Sequence, residues 1–344
     1  MPQCLLSPGP LLDEKGRLAQ AGYATSLVKE YDRKKIAAGK LRIKEWDYYL
    51  IQSDLFALAL TVADNGYMGM DSVSFLLFGD HPREKTVSKI VPLTLGKRNL
   101  PPTSEKGDIA VSGKGYQITF RNDGKKRRLS GYMEDFSGGS PIRFDVTLTD
   151  EPRDSMVIAT PYKENEKAFY YNQKINCLRA EGTVEFEGEE YLFAPAHSFG
   201  VLDWGRGVWT YKNTWYWGSA SGRVNGVPFG FNIGYGFGDT SAASENMLFY
   251  DGVAHKLDQV TFHIPEKDGK CDFLSPWTFT SNDGRFEMDF VPIIDRAALI
   301  DLKVLCSDQH QVFGYFTGKA VLDDGRVLEI RNLLGFAEKV FNKW

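Results

Sequence analysis

The sequence predicts an all-β chain folded antiparallel into two barrel-like halves after a short N-terminal helical segment. Length, turn chemistry and aromatic content predict it. At 344 residues the chain exceeds what one ordinary core supports. Turn pairs recur at Asp123-Gly124, Glu187-Gly188, Asn225-Gly226, Asp251-Gly252, Asp283-Gly284 and Asp324-Gly325, each between apolar runs. Such pairs tolerate the positive φ that tight hairpins need. Aromatic side chains make up 13% of a chain with 34 glycines, which suits strands and turns better than helices. The long crossover helices of a parallel sheet are missing between these runs, which excludes the α/β classes.

The elements follow in order. Residues 1–40 read as an extension in which Ser26 caps a helix over 27–36, with Val28 and Tyr31 on one face and Gly39 as its stop. From Arg42 the period becomes two, giving strands at 44–51, 55–62 and 72–78, with a turn at Asp64-Asn65-Gly66. Polar, turn-rich stretches between 151 and 200 read as the join, so the first half is expected over 41–190 and the second over 191–344. Residues 228–238 alternate large apolar side chains at odd positions with Gly or Asn at even ones. Such a strand either admits another backbone closely or leaves room inside a barrel.

Charge narrows the partners. Lys and Arg number 41 against 45 Asp and Glu, a net charge of −4, so no global field draws nucleic acid. The basic run Lys125-Lys126-Arg127-Arg128 follows a turn and reads as a solvated hairpin end; the sharper alternative is phosphate or peripheral membrane contact. Cysteines 4, 177, 271 and 306 lack C-x-x-C spacing, the pattern of free thiols in a reducing compartment. No basic, apolar leader and no membrane-length apolar stretch occurs, so the expectation is a cytoplasmic protein without an integral membrane segment. The five histidines are dispersed, and phosphate-loop, nucleophile-elbow and zinc-helix signatures do not occur. Neither a metal nor a cofactor is expected.

Chemistry concentrates at 197–209. His197, Asp203 and Arg206 lie there among glycines and tryptophans. Asp203 and Arg206, three apart around Gly205, are expected to face each other, either setting the state of the carboxylate or tying a loop to a rim. Trp209, Tyr211, Asn213, Trp215 and Trp217 share odd parity and so one strand face, as ligand wall or as plain core. Glu45 and Asp47 flank Trp46 in an apolar run, and Glu245 with Asn246 opens another. Buried carboxylates from different strands are suited to protonating a double bond, because burial raises the pKa of the donor.

The expected scheme places Asp203 or Glu245 as proton donor with Arg206 as its regulator, Asn213 and Tyr211 positioning water or a hydroxyl. Trp204, Trp209, Trp215 and Trp217 flank developing positive charge, in a dry hollow between or within the barrels that opens near residue 203. Asp47, Asn246 and His197 complete the candidate binding set. The competing readings are a non-catalytic lipid or isoprenoid carrier and a sugar-binding protein.

The segments Asp203-Trp204-Gly205-Arg206-Gly207-Val208-Trp209, Trp215-Tyr216-Trp217-Gly218, Asn232-Ile233-Gly234-Tyr235-Gly236-Phe237-Gly238, Glu245-Asn246 and the run from Gly335 to Trp344 together resemble the DUF2804 family, from about Lys44 to the last residue. That family is similar to the carotenoid 1,2-hydratase and AttH-like group. The resemblance implies a pair of lipocalin-like barrels, a double calycin. It also implies hydratase, lyase or isomerase chemistry on an apolar or amphipathic small molecule such as an isoprenoid or lipid.

Overall fold

A computed structural model describes residues 3–301 and 306–343; Trp344, which closes the family resemblance, lies outside them. The first large sheet is built from β1 (Ile43–Gln52), β2 (Phe56–Asp64), β3 (Met68–Leu77), β4 (Arg83–Pro92), β5 (Ile109–Gly113), β6 (Tyr116–Asn122), β7 (Arg127–Ser137), β8 (Ser140–Thr149), β9 (Met156–Tyr162), β10 (Asn165–Phe186), β11 (Glu189–Phe193) and β12 (Phe199–Val208). Its order is β4-β3-β2-β1-β12-β10-β8-β7-β6-β5, with β9 and β11 also paired to β10 and a thirteenth short strand, Gly22–Ala24, paired to β9. The second contains β13 (Lys212–Val224), β14 (Val227–Tyr235), β15 (Met247–Tyr250), β16 (Val253–Lys256), β17 (Val260–His263), β18 (Trp277–Ser281), β19 (Phe286–Asp301), β20 (Cys306–Val321) and β21 (Val327–Lys343). Its order is β16-β15-β14-β13-β21-β20-β19-β18-β17. Two curled half-barrel sheets of this kind make a double calycin fold.

All six turn pairs join consecutive strands, by two mechanisms. In Glu187-Gly188, Asn225-Gly226 and Asp251-Gly252 both residues have positive φ, and the flanking pairs Phe186↔Glu189, Val224↔Val227 and Tyr250↔Val253 close two-residue hairpins. At the other three only the glycine is left-handed. There the Asp carboxylate accepts a backbone N–H two residues on, from Lys125, Arg285 and Arg326, and supports a longer loop.

Three sequence expectations are corrected. Residues 27–36 do not form the expected helix: Lys29–Glu30 is a strand paired with Gly9–Pro10, and the one helical turn among the described residues is a 3-10 turn at Arg33–Lys35 capped by Asp32. Leu27 and Val28 pack on the first core as a strap, so an apolar pattern that fits a helix is satisfied by a chain lying across a barrel. The stretch 151–200, read as a join, contains β10, the longest strand, at the centre of the first sheet. By sheet membership the chain changes halves between Val208 and Lys212. The hollow is absent too: among the described residues each interior is filled by apolar side chains, such as Leu58, Leu60, Val73 and Phe193 in the first half and Phe231, Trp277, Phe290 and Phe316 in the second.

A third apolar cluster joins the halves. Period two divides β1: Ile43, Tyr49 and Ile51 enter the first core, whereas Tyr48 and Leu50 face the second sheet beside Val201, Trp217, Phe313 and Phe336. Phe313 and Phe336 are fully buried there and contribute about 2–3 kcal/mol each. The glycine face of β14 allows close approach: a Cβ on Gly230 would stand 2.7 Å from Cys177 Sγ of β10. Facing it, β10 carries a bulge between Ile175 and Leu178 with Cys177 at φ +61°. Asn176 and the Cys177 N–H bond across to Ser219, Ser221 and Phe231. Before the bulge the odd residues Tyr171 and Ile175 enter the first core; after it the even residues Leu178 and Ala180 do.

Candidate active site

Ionisable side chains meet at the junction because three adjacent strands of the first sheet offer them from one face. The register sets Asp203 of β12 between Tyr48 of β1 and Lys174 of β10. Asp203 accepts from Asn172 Nδ2 at 2.5 Å, Trp46 Nε1 at 3.1 Å and Lys174 Nζ at 3.3 Å. Lys174 also donates to Tyr170 Oη at 3.1 Å and Asn172 Oδ1 at 2.9 Å, and lies over the Trp217 ring at 4.6 Å. Gly205 is what admits Trp46: a Cβ there would stand 1.9 Å from the indole. A buried ammonium is costly unless surrounded by acceptors, and this one has them.

The second half adds two carboxylates. Glu245 Oε2 lies 3.7 Å from Lys174 Nζ and has no hydrogen-bond partner. Burial pushes its pKa up against the pull of Lys174, and the nearby Asp203 charge adds to the rise. Glu338 of β21 accepts from Trp215 Nε1 at 2.9 Å and Gln311 Nε2 at 3.0 Å. Burial pushes Glu338 up to about 7, opposed by the Trp215 N–H, Arg296 and Lys174 and assisted by Asp203. Tyr170 is held far above its ordinary value by burial and by Glu245 and Asp203, so it stays a neutral hydroxyl. Trp46 and Trp215 are half-buried and meet Trp209 edge to face and tilted, with ring centroids 5.2 and 5.9 Å away. Phe237 packs on Trp209, Trp215 and Tyr170.

The junction therefore gathers Asp203, Glu245, Trp209, Trp215 and Trp217 from the residues singled out in the sequence. It does not gather the others. Arg206 faces away from Asp203, since residues three apart in a continuous strand point to opposite faces. It lies inside the first half, bonded to Asp47 Oδ1 at 2.9 Å and to the carbonyls of Trp46 and Pro101, with its guanidinium 4.3 Å over Trp204. Burial raises the Asp47 carboxyl while Arg206 opposes the rise. Trp204 packs edge-on to Tyr31 and Tyr171 in that interior.

Asn213 closes a turn through the Thr210 carbonyl, and Tyr211 is 46% exposed. Asn246 clips β14 to the following loop through Gly234 N–H and the Asp258 carbonyl. His197 is exposed in a turn closed on Ala194. Glu45 is buried under Tyr31 and Arg33 of the strap.

Sequence reasoning missed Lys174, Asn172 and Tyr170, which lie in the strand read as a join, together with Gln311 and Glu338. The signal for Glu338 was present: it shares parity with Phe336 and Val340 in an apolar run, the mark of an acid on an inward face.

Among solved structures, the chain is similar to an AttH-type protein of Nitrosomonas europaea, with TM-score 0.51, 14% identity and coverage of 96% of this chain and 98% of that one. It is also similar to kievitone hydratase from Nectria haematococca, with TM-score 0.49, 10% identity and coverage of 96% and 98%. The first likeness supports the fold. A search of the curated proteins gives no match. The model of a domain of unknown function matches residues 3–344, and the chain therefore belongs to the DUF2804 family.

Proposed function

We propose that this DUF2804 chain is an acid–base enzyme, a hydratase, lyase or isomerase, acting without a cofactor on an apolar or amphipathic small molecule at the junction of its halves. The observation that carries the reading is the pairing of Asp203 and Glu245 with one buried ammonium, whose charge and that of Asp203 also reach Glu338, itself pushed by burial up to about 7. A carboxyl group that titrates near neutrality beside a carboxylate held by an ammonium is a donor–acceptor pair of the kind proton transfer needs.

In the hydration direction, Glu338 gives its proton to one alkene carbon and the π electrons form the new C–H bond. The neighbouring carbon becomes electron-poor and faces the indoles of Trp46 and Trp215, whose π faces favour positive charge. Water attacks that carbon while Asp203 takes its proton, and the proton returns to Glu338 through solvent. Run backwards, the sequence eliminates water; without water, it moves a double bond. Lys174 holds Asp203 and Glu245 in place. Asp203 is 8% exposed and Glu338 4%, and each is bonded to a half-buried indole, Trp46 and Trp215, so a substrate reaches them only by displacing those rings.

The test is incubation of the protein with a bacterial lipid and isoprenoid extract in heavy-oxygen water, followed by mass spectrometry. Wild type should add labelled water to, or remove water from, a defined species, and Asp203→Asn and Glu338→Gln should each lower that rate by about 10²–10⁴-fold. Equal turnover by all three proteins would overturn the reading. A species that co-purifies with the protein unchanged would favour a carrier.

A further inference from the structure

A second reactive pair lies on the opposite face of the strand that carries Glu338. Period two turns Lys339 away from the junction, toward the end of the second half, where its Nζ stands 3.1 Å from Cys271 Sγ. Cys271 ends the short hairpin Glu266–Lys267/Lys270–Cys271 and is half-buried. Lys339 also lies 5.8 Å over the Tyr216 ring. Although burial works against its charge, the thiol and Tyr216 hold the Lys339 ammonium above its ordinary value. By contrast, burial pushes Cys177 up to about 12, which makes it an inert thiol. At Cys271 a soft nucleophile that an oxidant can reach and an amine able to capture its oxidised form are already in contact.

We propose that Cys271 and Lys339 form a reversible sulfur–nitrogen cross-link under peroxide. The Cys271 thiolate attacks hydrogen peroxide, the O–O bond breaks, and sulfur becomes a sulfenate while hydroxide takes up a proton as water. Lys339 passes one proton to the sulfenate oxygen. Its freed lone pair then attacks sulfur, a second proton leaves nitrogen, and the S–O bond breaks with departure of water. In sum, thiolate, ammonium and one peroxide give a sulfenamide and two waters: sulfur is oxidised by two electrons and the peroxide reduced by two. The link fastens the 266–271 hairpin to the strand that presents Glu338.

The experiment treats the intact chain with stoichiometric hydrogen peroxide and follows it by intact-mass and peptide mapping. Wild type should lose the mass of two hydrogens, yield one linked peptide containing Cys271 and Lys339, and regain its original mass with a thiol reductant. Lys339→Arg keeps the cation but cannot form the link. Its Cys271 should stop at the sulfenic acid and be labelled by a 1,3-diketone at least tenfold more than in wild type. Equal labelling in both proteins, or a wild-type Cys271 that proceeds to the sulfinic acid without a linked peptide, overturns the proposal.

Discussion

At the scale of single residues, Glu338 ties chemistry to pH. Its ordinary value is 4.5 and in the folded chain burial pushes it up to about 7, so between these values the native state binds the proton and the unfolded chain does not. Its protonation therefore contributes stability that is fully present below about 4.5 and lost as pH rises through about 7. Urea melts at pH 5 and pH 8 should show wild type losing on the order of 2–3 kcal/mol that Glu338→Gln retains. In the proposed mechanism the same proton is the one donated, so kcat/KM should fall above about pH 7.

Lys174 offers a second check. Lys174→Met leaves Asp203 and Glu245 buried without their cation and should cost about 3–5 kcal/mol at neutral pH, with Glu245→Gln in the same chain restoring part of it. Asp203 was legible as an acid in unusual company. Its supposed partner Arg206 was not, because charge spacing says nothing of facing until the backbone is known to be extended, and then three residues means opposite sides.

At the scale of elements, the strands with clean alternation were readable and the others were not. β14 announced both its aromatic and its glycine face, and the six turn pairs marked their hairpins. β10 was hidden twice over: Asn172, Gln173, Lys174 and Asn176 make it look polar, and the bulge at Cys177 interrupts its period. Asn176 bonds across the junction, and Asn172 and Gln173 bond within the first half to Asp203, Ser104 and Ser155, partners far away in sequence that no local pattern reveals. The Gly205 seat for Trp46 gives an element-level prediction. Gly205→Ala puts a Cβ 1.9 Å from the present indole position, so it should destabilise the chain by about 1–3 kcal/mol. It should also lower turnover by displacing the Trp46 N–H from Asp203, with a shift of tryptophan emission reporting the move.

For the whole molecule, a buried apolar and ionic junction makes the halves mutually dependent. Trp217 and Phe336 pack together in it with ring centroids 4.7 Å apart. Phe336→Ala should cost about 3–5 kcal/mol, and calorimetry should turn one unfolding transition into two as the halves lose their shared surface. Two halves were legible from length and rhythm. That the ionisable cluster lies between them was one of two placements the sequence left open, and the choice depends on which faces of β1, β10 and β12 meet β13, β14 and β21.

The extra residue at Cys177 has a consequence for how β10 can vary. From Tyr171 to Ile175 the strand follows one phase of in-and-out alternation and from Leu178 onward the other, so the loss or gain of a single residue nearby would turn one segment inside out. Such a change would drive Lys174 into oil or leave Leu178 facing amides. Length variation within β10 is thus confined to steps of two.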